Sequence, residues 1–311
     1  DEYSYEVKEG VRLLKIGIIY GANASGKTNI LNAVEFFRML VLSMPKDRNA
    51  KTGVVPFLLG DTSRSERTKM SMTFYINQLK YILSFELDSK RIYSESLVVY
   101  ESIRPTKLYG RTYEESTDSS IIEFGANLKL SKKGQDAIFG NTINNSSVLA
   151  AFGKSNVEKT KLNDVYDYFA MQVKDVLAPG MLLSGYVKKH LDKDKDGELK
   201  KFILNFLKAS DFNIEDVALH EEEELITPEL EQLIQKAPID DDAKAEMLKK
   251  GKITNTELTF THKAGEKLYD LSEEYESNGT MRFLGMAVIL NFLLKKNQFV
   301  PIDEVETSIH Y

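Results

Sequence analysis

The segment Gly21-Ala-Asn-Ala-Ser-Gly-Lys-Thr28 has the spacing G-x-x-x-x-G-K-[ST], and each fixed residue type in it has a chemical task. Glycines let backbone N–H groups curl around a phosphate, and the N-terminus of a following helix adds partial positive charge. Lys27 is placed to reach the β- and γ-phosphates of a nucleotide and to act in catalysis, and the Thr28 hydroxyl to ligate Mg2+. Gly21, Ala22, Asn23, Ala24, Ser25 and Gly26 would supply the cradle, with Asn29 bordering the α-phosphate. The cofactors this chemistry implies are ATP and Mg2+.

Two further stretches extend that chemistry. Phe299-Val-Pro-Ile-Asp-Glu304 reads as a short apolar strand ending in two acids. A phosphate loop needs one carboxylate to hold the metal through its water shell and a second to polarise the attacking water, which assigns the metal to Asp303 and the base to Glu304. Glu276-Ser-Asn-Gly-Thr-Met-Arg282 places a small polar loop before an apolar helix, a second N-terminus suited to an anion. One nucleotide has little use for two such loops from one chain. Ser277, Asn278, Gly279 and Thr280 are therefore expected to bind the γ-phosphate held by another copy; the bland alternative is an N-cap turn.

The elements needed to position these residues are legible as patterns. Leu13 to Tyr20 is a nearly continuous apolar run, as in a strand buried on both faces. After the loop, Ile30, Val34, Phe37 and Val41 recur at helical spacing until Pro45. Alternation from Met70 to Tyr100 predicts antiparallel hairpins, and a further strand follows at Ile121 to Phe124, after the polar loop Glu114 to Ser120. Between about 154 and 252 the pattern is helical and strongly charged, and it reads as an insertion. Glu221 to Glu224 and Asp240 to Asp242 read there as solvated loops or helix starts. Leu258 to Phe260 returns to a strand, Met281 to Leu294 to an apolar helix, and Phe299 to Ile302 to a short strand.

Composition bounds the rest. The chain has 311 residues, 42% hydrophobic and 28% charged, which is ordinary for a globular protein. It has no cysteine, so no disulfide framework or thiolate zinc site is possible, and the cytoplasm is the expected location. The apolar stretch Phe283 to Leu294 is too short to span a bilayer, so no membrane partner is expected. A net charge of −6 argues against wrapping of DNA. The best basic pairs, Lys188 with Lys189 and Lys200 with Lys201, sit among acids and read as solvated faces. Asp192 to Gly197 copies the opening of an EF-hand loop but has Ile203 where the bidentate Glu belongs, so it reads as an acidic turn before a helix. Tyr3 and Tyr5 precede the loop, where an aromatic ring could stack on adenine, though neither stands out.

Taken together, the three motifs resemble ABC-type P-loop ATPases, and within them the soluble RecF and SMC-like group. The segments IYGANASGKTN and DEVETSIH look most like the bacterial OLD-like ATPases of anti-phage defence systems. Glu276 to Thr280 looks like that family's signature motif, with Asn278 departing from its Ser-Gly-Gly core, and Ser308 to His310 stands where the family has its D-loop. The resemblance implies an α/β fold: an ABC-ATPase head with a mixed sheet around the P-loop core, an antiparallel β lobe at about 68–125, and a helical insertion. The core would be discontinuous, residues 1–153 and 253–311, with 154–252 inserted. It also implies a homo-oligomer of at least two heads, and an effector nuclease or toxin as partner. No glutamine is placed as the family's Q-loop residue; Gln135 and Gln172 are open alternatives. The family's switch histidine lies past the D-loop, so the sequence is expected to continue beyond Tyr311. Two rival functions remain at this point: a DNA-repair or chromosome-organising ATPase, and a nucleotide-gated scaffold with little turnover.

Overall fold

The computed structural model describes residues 3–59, 66–181, 183–237, 240–296 and 298–304. The fold is α/β, in two compact units: Asp1–Leu177 with Gln298–Asp303, and Ala178–Asn297 with Glu304–Tyr311.

In the first unit, β1 (Ser4–Lys8) and β2 (Val11–Leu14) form an antiparallel ribbon. The expected strand over Leu13 to Tyr20 is corrected here, because regular strand ends at Leu14 and Ile16, Ile18, Ile19 and Tyr20 are exposed. A strand buried on both faces needs ladder partners and cover above and below, and among the described residues no strand pairs with 16–20. Helix α1 (Lys27–Leu42) follows the loop, buries Phe37, Leu40 and Val41, and stops short of Pro45.

Strands β3 (Thr68–Ile76), β4 (Leu79–Leu87), β5 (Ile92–Tyr100), β6 (Thr106–Glu114) and β7 (Ser119–Phe124) form one antiparallel sheet in chain order. Period-2 alternation puts Tyr81, Leu83, Phe85 and Leu87 of β4 on the core face, and Ser84 and Glu86 on the other. Phe37 of α1 meets Phe85 edge-on at 5.2 Å between ring centroids, so the loop's helix packs on the sheet. Strand β6 is absent from the sequence expectation. Its residues, TKLYGRTYE, are polar enough to read as loop, and cross-strand pairing to β5 and β7 fixes them instead.

A buried charge pair lies within this sheet. Glu95 accepts from the Tyr109 hydroxyl at 2.6 Å and from the Val148 amide at 3.0 Å, while Arg111 donates to Ser120 Oγ at 2.9 Å and to the carbonyls of Ile143 and Asn144 at 3.1 Å. Burial pushes the Glu95 carboxyl up, opposed by Arg111 and its hydrogen-bond donors. The pair fastens segment 143–148 to the sheet. Helices α2 (Lys132–Asn141), α3 (Val148–Phe152) and α4 (Lys161–Asp167), then a π-helical turn at Tyr168–Gln172, complete this unit's core.

In the second unit, α5 (Ser184–Leu191) and α6 (Glu198–Ala209) precede β8 (Ile214–Leu225). Then come α7 (Pro228–Lys236), α8 (Asp241–Lys250), β9 (Lys252–Ala264), β10 (Lys267–Ser272) and α9 (Asn278–Lys295). The sheet order is β10-β9-β8, all antiparallel, and α5, α6 and α9 pack on it through Val187, Ile203, Leu207, Leu284 and Val288. The helical reading of 154–252 is corrected at β8. Glu221 to Glu224 are solvated, as expected, but as ladder residues opposite Thr256 to Ile253, where pairing overrides their low strand preference. The EF-hand-like turn caps a helix: Asp194 accepts from the amides of Leu199 and Lys200 at 3.0 and 2.8 Å. Among the described residues no helix is long and apolar enough to cross a membrane.

Candidate functional site

The loop from Gly21 to Ser25 is exposed, with Gly26 and Lys27 partly covered. Its backbone enters the left-handed region at Ala24 (φ 59°) and Gly26 (φ 92°), the kind of conformation that turns successive N–H groups toward one side as an anion nest. Gly26 is the N-cap of α1, so no side chain caps that helix, and no acid lies in its first turn. Helices α2, α3, α4, α7 and α9 are instead capped by Ser or Thr hydroxyls. The start of α1 and its dipole face the loop, with the Asn29 amide bonded back to Gly26 O at 3.0 Å and no side chain on the N–H groups of Lys27 and Thr28 before it. Lys27 bends back over it and donates from Nζ to the carbonyls of Gly21 and Ala22, each at 2.9 Å. A Cβ at Gly21 would fall 2.6 Å from Ser25 Oγ, so this position leaves little room for a side chain. An ammonium, open helix N–H groups and left-handed glycine together fit a phosphate chain, and the exposed hydroxyl of Thr28 fits a metal beside it. Asn29 is exposed one residue further along the helix.

Asp303 is reached through α1 itself. Phe299 donates its N–H to Gln172 O at 2.8 Å, Lys174 to Phe299 O at 2.9 Å, Leu177 to Pro301 O at 3.0 Å, and Asp303 to Leu177 O at 3.0 Å. These bonds make 172–177 and 299–303 a parallel pair, bridged at Val173 with Phe299 and at Leu177 with Ile302. The same segment is held from its other side by α1. Arg38 donates from Nε to Val173 O at 2.9 Å and pairs with Asp175, and Glu35 accepts from the Val176 amide at 3.2 Å. Loop, helix, segment 172–177 and segment 299–303, which forms two isolated bridges in place of the expected regular strand, are thus one hydrogen-bonded series.

Sequence reasoning missed Glu35 and Arg38. Their signal was present, since Arg38 falls four residues after Val34 and three before Val41, beside the apolar stripe of α1 rather than opposite it. Of the two glutamines left open, Gln172 belongs to this series through its carbonyl, while Gln135 lies on α2 with its amide on Leu130 O.

In the second unit, Ser277 is the N-cap of α9: its Oγ accepts from the Thr280 amide at 3.0 Å and lies 2.9 Å from Thr280 Oγ1. The turn is pinned from behind, with the Glu276 carboxylate hydrogen-bonded to His262 of β9 and Glu273 paired with Lys188 of α5. Ser277 and Asn278 are exposed, Gly279 half-buried and Thr280 buried. Arg282 of α9 donates to the Glu304 carbonyl at 3.1 Å, which holds Glu304 where its backbone is left-handed (φ 46°) and its side chain exposed. The D-loop assignment, Ser308 to His310, lies outside the described residues.

No curated protein matches this chain. Residues 17–311 match the family described as "AAA domain, putative AbiEii toxin, Type IV TA system", a span that begins just before the phosphate loop and takes in both carboxylates and the turn at Ser277. The match covers most of the chain, and the chain belongs to this family of AAA-type P-loop ATPase domains.

Proposed function

We propose that this chain binds ATP with Mg2+ at Gly21 to Asn29, hydrolyses it, and uses the cycle to associate and separate two heads. The observation that carries the reading is the uncapped, left-handed entry into α1 beneath Lys27. In this reading Lys27 neutralises the β- and γ-phosphates, Thr28 and Asp303 hold the metal, and Glu304 accepts the proton of the attacking water. Bound Mg2+ supplies charge neutralisation on the phosphates; the residues around it orient and exclude. Ser277, Asn278, Gly279 and Thr280 of one copy complete the site of the other, so γ-phosphate binding becomes a change of assembly state.

The partner in this account is an effector nuclease or toxin, held or released by the heads in defence against phage. The toxin–antitoxin description of the matched family and the resemblance to OLD-like ATPases support that assignment.

The test separates binding from chemistry. Lys27→Ala should weaken ATP binding by tenfold or more. Glu304→Gln should keep ATP binding and lower turnover by about 10²- to 10⁴-fold, the usual contribution of a general base. Turnover in Glu304→Gln equal to the parent would remove Glu304 from the chemistry, and unchanged ATP affinity in Lys27→Ala would remove the P-loop.

A further inference from the structure

Past the far end of α1, four segments of the first unit line a cavity of about 540 Å³: residues 48–51, the β4–β5 turn at 89–91, Asp118 of the β6–β7 turn, and Ile143 with Asn144. Its lining carries Arg48, Lys51, Lys90 and Arg91 against a single carboxylate, Asp118. That is a local excess of positive charge in a chain whose net charge is −6.

The walls are held in place. Buried Asn145 donates from Nδ2 to the carbonyls of Asp47 and Ala50 at 2.9 and 2.7 Å, which fixes the 48–51 turn. Thr52 joins that turn to the next wall, donating its N–H to Ser89 O at 3.1 Å and its hydroxyl to Asp88 O at 2.6 Å. Asp88 accepts from the amides of Lys90 and Arg91 at 2.7 and 2.9 Å, and Ile92 donates to Asn144 O at 2.8 Å. The carboxylates of Asp47 and Asp88 are thus engaged by amides of their own turns.

The cations differ in what they already meet. The Arg91 guanidinium lies over the Tyr113 ring, 4.5 Å from its centroid, and pairs with Asp118 at 3.1 Å. Asp118 also stands 3.9 Å from Arg48, so one carboxylate serves two arginines from two segments. Among the described residues Lys51 and Lys90 have no ion-pair partner.

We infer that this cavity is a second anion site, taking a small ligand through two or more phosphate groups. Asp118 offsets only one of the four positive charges, so the remaining cations suit a multiply charged ligand. Asn49, Ser89 and Asn144 add neutral hydrogen-bonding groups, and the lining has no aromatic ring on which a base could stack. The volume falls in the range of small-molecule sites. The site is distinct from the P-loop: the 16 residues of α1, at about 1.5 Å each, put roughly 24 Å between its two ends.

The probe is inorganic tripolyphosphate, titrated calorimetrically into Lys27→Ala so that the P-loop contributes little. One site should remain in that variant. Adding Lys51→Ala and Lys90→Ala should weaken it by tenfold or more while ATP binding in the Lys27 parent stays as it was, and Asp118→Asn should tighten it. Loss of all tripolyphosphate binding in Lys27→Ala would overturn the inference, as would an affinity indifferent to the two lysines. Binding of a short single-stranded oligonucleotide that depends on Lys51 and Lys90, with no binding of tripolyphosphate, would overturn the small-ligand assignment in favour of a nucleic-acid contact.

Discussion

Arg38 donates its Nε–H to the carbonyl of Val173 at 2.9 Å, and that bond joins the helix carrying the P-loop to the segment paired with the Asp303 strand. Two motifs at opposite ends of the sequence thereby share one rigid element. In the proposed site these contacts would set the distance between the phosphate loop and Asp303, and a misplacement of about 1 Å can lower a rate on the order of 10²-fold.

Arg38→Ala should accordingly act on the metal rather than on the loop. ATP affinity measured without Mg2+ should stay close to the parent, while the gain in affinity on adding Mg2+ shrinks and turnover falls about tenfold or more. Arg38→Lys keeps the charge but not the planar fork, and should recover only part of the loss. Equal weakening with and without Mg2+ would mean that Arg38 merely supports the fold.

The buried pair predicts a large stability effect at a position remote from chemistry. Arg111→Met leaves the Glu95 carboxylate buried without its counter-charge and should destabilise the chain by roughly 3–5 kcal/mol in urea unfolding. Adding Glu95→Gln should return part of that loss, because no uncompensated charge then remains. Additive losses in the double variant would contradict the coupling.

Ser277 separates a cap from a recognition group. Ser277→Ala removes the acceptor for the Thr280 amide and should lower stability by about 1 kcal/mol. Ser277→Asp keeps a good cap, so stability should hold, yet its charge would repel a γ-phosphate from a second copy. Nucleotide-driven association lost in the Asp variant, with normal unfolding, is the expected result; association retained would leave the turn as a cap alone.

His190 gives a pH dependence with a definite sign. Burial against Tyr186 and Phe292, followed by the charges of Lys189, Lys193 and Lys296, pushes its pKa below the ordinary 6.5. The unfolded chain then binds the proton more readily than the folded one, so stability should fall as pH drops below about 6.5 and level off above it. His190→Gln should flatten the melting temperature against pH in that window, and an unchanged slope would assign the dependence elsewhere.

How much of this was legible depends on where each signal resides. The loop, α1, the β3–β5 hairpins and α9 follow from local patterns, since glycine spacing, period 3.6 and period 2 are read from neighbouring residues. Strands β6 and β8 are not legible, because their residues are too polar for the alternation to show and ladder pairing holds them, β6 between its chain neighbours β5 and β7 and β8 against β9. Leu13 to Tyr20 failed in the opposite direction: its composition asks for burial, but composition cannot say what covers it. The link from Arg38 to Val173 spans 135 residues of sequence, and nothing in the chain order marks it.

Whether ATP drives two heads together can be read from light scattering of Glu304→Gln. In this variant nucleotide should bind but turn over slowly. Its mass should be higher with ATP and Mg2+ than without nucleotide, and the difference should vanish when Lys27→Ala is added. A mass that does not respond to nucleotide, in a protein shown by titration to bind ATP, would contradict ATP-driven association.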